Sequence, residues 1–439
     1  MAPGVHGSAQ RAGKVASHRG RRHTIADSNR IRTVCLTLAL LTCHAGICGR
    51  SYTSPAIMEE KRGQAQGRSR GGRAPARRRA GARPPAGPAQ PAGGGLPAQS
   101  VEAVLWEPAG GKVRCLVCPH FCVVDEDDEG LCKARGVRDG RMVSLTYGRP
   151  ATIISDEIEK KPLFHFHPGT RALSLGSYGC NVLCAGCQNW QISHANPRTE
   201  TTRLPYLSPA DAVAMARRHK LAGVAFTYND PVVWVEYVHD VCFAFKAAGL
   251  YTAFITAGYL TEAALDYLAP VLDAYKFDLK AATPQGWAKL SKVKDPAPAL
   301  AAAIRAKTHH GLHVEVVSNI VPGLNDEEAD LVAMAGWVRD ALGAETPWHV
   351  TRFLPDFELS HLPPTPIRTL EKGIALGRKA GLRFVYIGNV QGHPARNTVC
   401  PGCGRTAIQR GEHGAEAVWV KRGRCAACGE DLGVVRAVD

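Results

Sequence analysis

No apolar run in this 439-residue sequence reaches the roughly 18–20 residues that a membrane-spanning helix needs. The best candidate, "VCLTLALLTC" at 34–43, is too short, so no membrane partner is expected. Acidic residues are scarce in the first hundred positions, which hold 17 of the 54 Lys and Arg but 3 of the 39 Asp and Glu. Beyond residue 100 the balance is 37 basic to 36 acidic. The formal charge of +15 therefore belongs to the start of the chain. The body lacks the basic excess that holds a phosphate backbone, so no nucleic-acid partner is expected. A third shortage is local. Cys180, Cys184 and Cys187 stand in the spacing C-x3-C-x2-C, and the next cysteine is Cys242. Three strong metal ligands stop one short of a closed site.

Cysteine itself is plentiful, at fifteen, and eleven fall into three groups. In a long chain with 45% hydrophobic residues, such groups read as metal sites in a reducing compartment rather than as disulfides. Residues 1–100 are rich in Ala, Gly, Pro and Arg, as in "RGGRAPARRRAGARPPAGPAQPAGGG", and cannot bury enough apolar surface to order themselves. Two readings of this tail stand side by side. It is a transit peptide to a mitochondrion or plastid, or translation starts at Met58 and the protein is cytoplasmic. A secretory signal is set aside, because it would expose the cysteine groups to oxidation. Cys35, Cys43 and Cys48 belong to this tail, and Cys242 reads as a core residue on an apolar helix.

From about 170 to 395, short apolar runs alternate with helical ones. The strand-like runs are "ALSLGS" (172–177), "GVAFTYNDP" (223–231), "TAFITAGYL" (252–260), "AYKFDLKA" (274–281), "HVEVVSNIVPGLND" (313–326), "WHVTRFLPD" (348–356) and "FVYIGNV" (384–390). Helices are expected to open at Ser208-Pro209 and Thr365-Pro366. The alternation implies a parallel sheet with crossover helices. Asn229, Asp230, Thr256, Asp278, Lys280, Asn319 and Arg352 fall at the C-terminal ends of the strands, where such sheets carry their sites.

The three-cysteine loop is therefore the leading candidate for chemistry. Thiolates hold iron–sulfur clusters, and three of them leave one iron of a cubane without a protein ligand. Gly176 and Gly179 let the backbone come close. A zinc site borrowing His194 is the competing reading.

At these residues the sequence resembles the radical S-adenosylmethionine (SAM) superfamily. Within it, "EIEKKPLFHFHPG" (157–169), "GCNVLCAGCQNWQIS", "FTYNDP", "KFDLK", "VPGLND", "TPWHVTRFLPD" and "YIGNVQGH" look like the radical SAM enzymes of AmmeMemoRadiSam systems, which are related to pyruvate formate-lyase activating enzymes. The likeness runs from about 105 to 435. It implies an α/β fold, a partial (β/α)6 TIM-like barrel. It implies a [4Fe–4S] cluster on Cys180, Cys184 and Cys187, with SAM on the open iron. Reductive cleavage would give a 5′-deoxyadenosyl radical that abstracts hydrogen from an unidentified substrate. Tyr228, Asn229, Asp230, Asp278, Lys280 and His349 become SAM-site candidates, and Arg352 faces SAM or substrate. Implied partners are a low-potential donor, flavodoxin or ferredoxin, and Memo-like and AMMECR-type proteins. Two positions depart from the pattern. Gly186 stands where an aromatic residue often covers the adenine, and Ala257 where Asn is usual.

Two further groups flank the barrel. Cys400, Cys403, Cys425 and Cys428 form two C-x2-C knuckles, so zinc in a ribbon is expected. Cys115, Cys118, Cys122 and Cys132, with His120 between, match neither a bacterial ferredoxin run nor a standard zinc finger, and zinc and an auxiliary cluster both remain open. The expected organisation is a tail (1–100), a cysteine-rich module (105–165), the barrel (166–395) and a zinc-ribbon-like module (396–439). Two rival functions stand beside the main one. They are a glycyl-radical activating enzyme and a non-redox zinc-binding module.

Overall fold

Two small antiparallel sheets precede the barrel, and the strand Lys112–Cys115 at the centre of one of them alternates exposed and buried side chains. In the computed structural model, which describes residues 100–200, 204–412 and 414–435, they are built from six strands. These are β1 (Val101–Glu102), β2 (Trp106–Ala109), β3 (Lys112–Cys115), β4 (Val123–Val124), β5 (Arg135–Arg138) and β6 (Arg141–Ser144). The sheet orders are β1-β6-β5 and β2-β3-β4. The tail expected over 1–100, with Met58, Cys35, Cys43 and Cys48, lies outside the described residues except for residue 100.

The central sheet has eight strands. They are β7 (Thr152–Glu157), β8 (Arg171–Gly176), β9 (Gly223–Phe226), β10 (Tyr251–Thr256), β11 (Ala274–Asp278), β12 (His313–Ile320), β13 (Trp348–Arg352) and β14 (Val385–Gly388). They lie in sequence order, β8 to β14 all parallel and β7 antiparallel to β8. The seven parallel strands match the seven runs read from the sequence, with β8 and β10 each beginning one residue earlier than read. The sheet thus adds one parallel strand and an antiparallel edge to the six-strand expectation. β7 also moves a boundary, because residues 152–157 join the barrel sheet rather than the cysteine-rich module expected over 105–165.

Strands β9 and β10 are buried at every position, as a parallel sheet covered on both faces requires. The helix Pro209–Arg218 opens at Ser208, whose side chain accepts from the Asp211 amide. The other expected cap differs. The helix Ile367–Lys379 starts after Pro366, and the Thr365 hydroxyl instead accepts from the Phe353 amide at 2.8 Å and donates to the Ile320 carbonyl at 2.5 Å. Thr365 therefore ties the ends of β12 and β13 together. Among the described residues, no helix is long and apolar enough to cross a membrane.

The C-terminal segment forms β15 (Thr398–Val399), β16 (Thr406–Gly411), β17 (Gly414–Val418), β18 (Val420–Lys421) and β19 (Arg424–Cys425). It packs under the barrel at the N-terminal ends of the strands. Phe164, Phe384 and Tyr386 share one apolar cluster with Cys400, Ile408, Cys425 and Leu432. A buried polar network adjoins it. Glu315 accepts from the amides of Phe164 (2.9 Å) and His165 (2.8 Å) and is bonded by His313 (3.0 Å) and His349 (2.7 Å). His165 contacts Tyr386 Oη at 2.6 Å and the Leu432 carbonyl at 2.8 Å, and Arg410 donates to the Phe164 carbonyl at 2.6 Å. These contacts fill the floor of the barrel.

Candidate active site

The loop after β8 carries the three cysteines, and its path is set by Asn229 beyond β9. The Asn229 side chain accepts from the Ser177 amide at 2.9 Å and donates to the Gly179 carbonyl at 2.7 Å. Gly179 has φ +81°, and a Cβ there would collide with the Cys132 carbonyl oxygen. Two N–H groups aim at the Cys180 sulfur, from Asp230 at 3.4 Å and Val182 at 3.5 Å. The Cys187 sulfur lies 3.3 Å from Ser193 Oγ. Burial, and then the Asp230 carboxylate, push the Cys180 thiol well above its ordinary range. Burial also raises Cys184, while Lys280 opposes that rise.

All three cysteines open on one cavity of about 330 Å³ at the C-terminal mouth of the sheet. Its wall includes Tyr228, Asn229, Asp230, Asp278 and Lys280. Asp278 lies between Lys276, a direct ion pair, and Lys280 at 2.9 Å. Burial pushes the Asp278 carboxyl up, but Lys276 and then Lys280 outweigh it and hold it at about 2. Burial lowers Lys280, yet Asp278 and then Cys184 more than compensate, so it stays cationic. The three side chains share one face because they alternate along "KFDLK". Lys276 was the residue missed, although that same period of two marks it.

Asn229 and Asp230 are spent on structure. Asp230 accepts from Thr256 Oγ1 (2.8 Å), the Ala257 amide (2.8 Å) and the Val232 amide (3.2 Å). It joins the end of β9 to the end of β10. Tyr228 adopts φ +78°, an unusual backbone for an aromatic residue, and donates its hydroxyl to Asp156 at 2.7 Å. Asp156 in turn holds buried Lys161 at 2.6 Å. Arg352 is turned aside, its Nε donating to the Thr365 carbonyl at 3.0 Å.

His349 is the expected SAM contact that the structure places elsewhere. It does not line the cavity, is fully buried, and bonds Glu315 in the floor network. Two positions further along β13, Thr351 reaches the cavity instead. The reason is register, since period-two alternation sends both inward but sets His349 one step deeper.

A second cavity of about 260 Å³ adjoins the first and shares Cys184, Cys187, Asp278 and Lys280. Gly186, Leu290, Val321, Phe353 and Leu359 add an apolar side. The Phe353 ring stands where a side chain on Gly186 would go, since a Cβ there would be 3.0 Å from the ring and 3.3 Å from Leu359. An aromatic face is thus present, supplied from beyond β13 rather than from the cysteine loop. Ala257 contributes its backbone amide, already bonded to Asp230.

A family model described as the Radical SAM superfamily matches residues 175–337, which begins at the strand holding the cysteine loop. Uncharacterized protein MJ0808 of Methanocaldococcus jannaschii is 40% identical over 339 residues, 76% of this chain and 99% of that protein. This chain belongs to the radical SAM superfamily. It is a radical SAM enzyme on the partial barrel of that superfamily. Solved structures resemble it more distantly. A domain of pyruvate-formate lyase-activating enzyme from Bacteroides vulgatus is 15% identical, with 38% of this chain and 99% of that one covered and a TM-score of 0.32. A radical SAM methyltransferase from Sphaerobacter thermophilus is 16% identical, with 51% and 67% covered and a TM-score of 0.38.

The two flanking cysteine groups differ in geometry. Among the described residues, Cys400, Cys403, Cys425 and Cys428 are the only group of three or more Cys, His or carboxylate ligand atoms all within 4.8 Å of one another. Cys400 and Cys428 sulfurs are 3.5 Å apart, and those of Cys403 and Cys425 3.8 Å. Four thiolates around one tetrahedral zinc stand about 3.8 Å apart, given a Zn–S bond of about 2.3 Å. These four thiols are placed so that they could hold one metal ion. Cys115, Cys118, Cys122 and Cys132 instead surround a separate cavity.

Proposed function

We propose that this radical SAM enzyme holds a [4Fe–4S] cluster on Cys180, Cys184 and Cys187 and binds SAM at the iron they leave free. When bound, cluster and SAM supply a one-electron reductive cleavage that yields a 5′-deoxyadenosyl radical able to take hydrogen from a substrate. The observation that carries the reading is the convergence of three thiols, the Asp278–Lys280 pair and the Phe353 face on adjoining cavities. The donor set fits, because sulfur ligands suit iron and the remaining groups suit a zwitterionic amino acid joined to a nucleoside.

In this reading Lys280 receives the SAM carboxylate, and Asp278 receives its ammonium or a ribose hydroxyl. Phe353 and Leu359 take the adenine side. Asn229 and Asp230 act through the backbone by fixing the cysteine loop and the ends of β9 and β10. The packed floor closes the barrel from below and leaves the cysteine-lined mouth as the side where a substrate would be held. Zinc is our reading of the C-terminal site, supported by its sulfur spacing. A flavodoxin or ferredoxin is the donor class the chemistry calls for. Partnership with Memo-like and AMMECR-type proteins rests on motif resemblance alone.

The test is anaerobic reconstitution with iron and sulfide, then dithionite and SAM. The expected result is 5′-deoxyadenosine from the native chain and none from Cys184→Ala. A cluster signal that SAM leaves unchanged, with no 5′-deoxyadenosine, overturns the reading.

A further inference from the structure

The cavity bounded by Cys115, Cys118, Cys122 and Cys132 plays no part in the function above, yet four thiols converge on it. Local folding explains how. β3 ends at Cys115, a tight turn carries Cys118, the chain returns through Cys122, and a second turn brings Cys132 back. Three of these cysteines are buried and Cys122 is half-buried. The cavity they enclose is small, about 20 Å³.

Sulfur spacing separates this group from the C-terminal one. Around a single tetrahedral ion the thiolates must crowd to about 3.8 Å. The C-terminal four do so, while no three of the N-terminal four lie within 4.8 Å of one another. Thiolates on a cluster bind different irons, so they stand apart around a central body. A second observation points to an anionic occupant. Arg135 lines the same cavity at 2% exposure, and its Nε has no hydrogen-bond partner. Its Nη1 is committed to Glu236 at 2.7 Å. A buried N–H left without a partner is costly unless something in the cavity accepts from it. The Leu131 amide also points at the Cys122 sulfur, at 3.5 Å.

We propose that these four cysteines hold a second iron–sulfur cluster, closed by protein thiolates, with Arg135 Nε donating to one of its sulfur atoms. The site backs directly onto the SAM-cluster loop. Asn181, next to Cys180, lines the cavity, and its carbonyl meets His120 Nε2 at 2.9 Å. Gly179 lies against the Cys132 carbonyl.

Metal and acid-labile sulfide counts on the full chain, reconstituted anaerobically, test it. The native protein is expected to carry about twice the iron and sulfide of a single cluster, plus one zinc. Cys184→Ala combined with Cys187→Ala should keep iron and sulfide at about 1:1, with a spectrum that SAM leaves unchanged. Adding Cys118→Ser and Cys132→Ser should remove that iron. Zinc without sulfide in the N-terminal site overturns the proposal. So does iron lost with Cys403→Ser and Cys428→Ser rather than with Cys118→Ser and Cys132→Ser. If the Cys118 variant fails to fold, the native iron, sulfide and zinc counts decide. The SAM-sensitive signal reads the central site separately, so failure of either reading is recognised by itself.

Discussion

The Phe353 ring occupies the space that a side chain at Gly186 would need, 3.0 Å from an added Cβ. The two residues are far apart in sequence and meet only when the end of β13 folds over the cysteine loop. If this ring faces the adenine, Phe353→Leu keeps most of the volume and loses the aromatic face. SAM affinity should fall about three- to tenfold, read by titrating the cluster signal with SAM. Gly186→Ala should push the ring aside and give a loss in the same direction.

Asn229 should matter for cluster assembly more than for SAM binding. Asn229→Ala breaks bonds to the Ser177 amide and the Gly179 carbonyl. The expected cost is about 2–3 kcal/mol of loop stability. Iron bound after reconstitution should fall to about half or less, measured against protein concentration. Asn229→Asp keeps the acceptor for Ser177, loses the donor to Gly179, and should fall between.

Asp278 balances two lysines, so its neutral variant leaves both short of a partner. Asp278→Asn is expected to cost about 3–5 kcal/mol in urea unfolding of the metal-free chain. Lys276→Met leaves the Asp278–Lys280 pair standing and should cost clearly less. Equal losses in the two variants would contradict the balance described.

Glu315 supplies a pH dependence. Burial pushes its carboxyl up, but the bonds from His313 and then His349 hold it well below the ordinary carboxylate range. A depressed folded pKa stabilises fully above the unfolded value of about 4.3 and is lost as pH falls through the folded value. His349, lowered by burial despite Glu315, adds a loss that begins below the unfolded histidine value of about 6.5. Denaturant midpoints should therefore drop between pH 7 and 4 and drop further below 4. Glu315→Gln should cost about 3 kcal/mol at pH 7 and flatten the lower part of that curve.

The C-terminal metal should act on stability. Cys425 is buried in the apolar cluster beneath the barrel, so Cys425→Ala should release one zinc and lower the thermal midpoint by about 5 °C or more. Formation of 5′-deoxyadenosine per folded chain should be largely preserved.

The seven parallel strands were legible because each is a short apolar run leading into polar residues, whereas β7 and the short strands of the flanking modules were not. The cysteine loop was legible from spacing alone. Less visible was what each polar residue does there. "TYNDP" looks like a ligand grip, yet Asn229 and Asp230 bond the protein's own backbone. A hydroxyl before proline reads as a helix cap, but Thr365 bridges two strand ends because β12 and β13 present their backbone groups to it. His349 falls on the inward face as expected, and only depth within the barrel, which no local pattern encodes, separates it from Thr351. The Phe353 replacement for an aromatic at 186 depends on a contact across the fold.

The filled floor closes the barrel at one end, and the cysteine-lined cavity opens at the other. Glu315, His165, Tyr386 and Arg410 stopper one end of the barrel with side chains contributed from both sides of the sheet and from beyond it. The Tyr228–Asp156–Lys161 cluster stands at the rim of that opening, where an entering or leaving molecule would pass it.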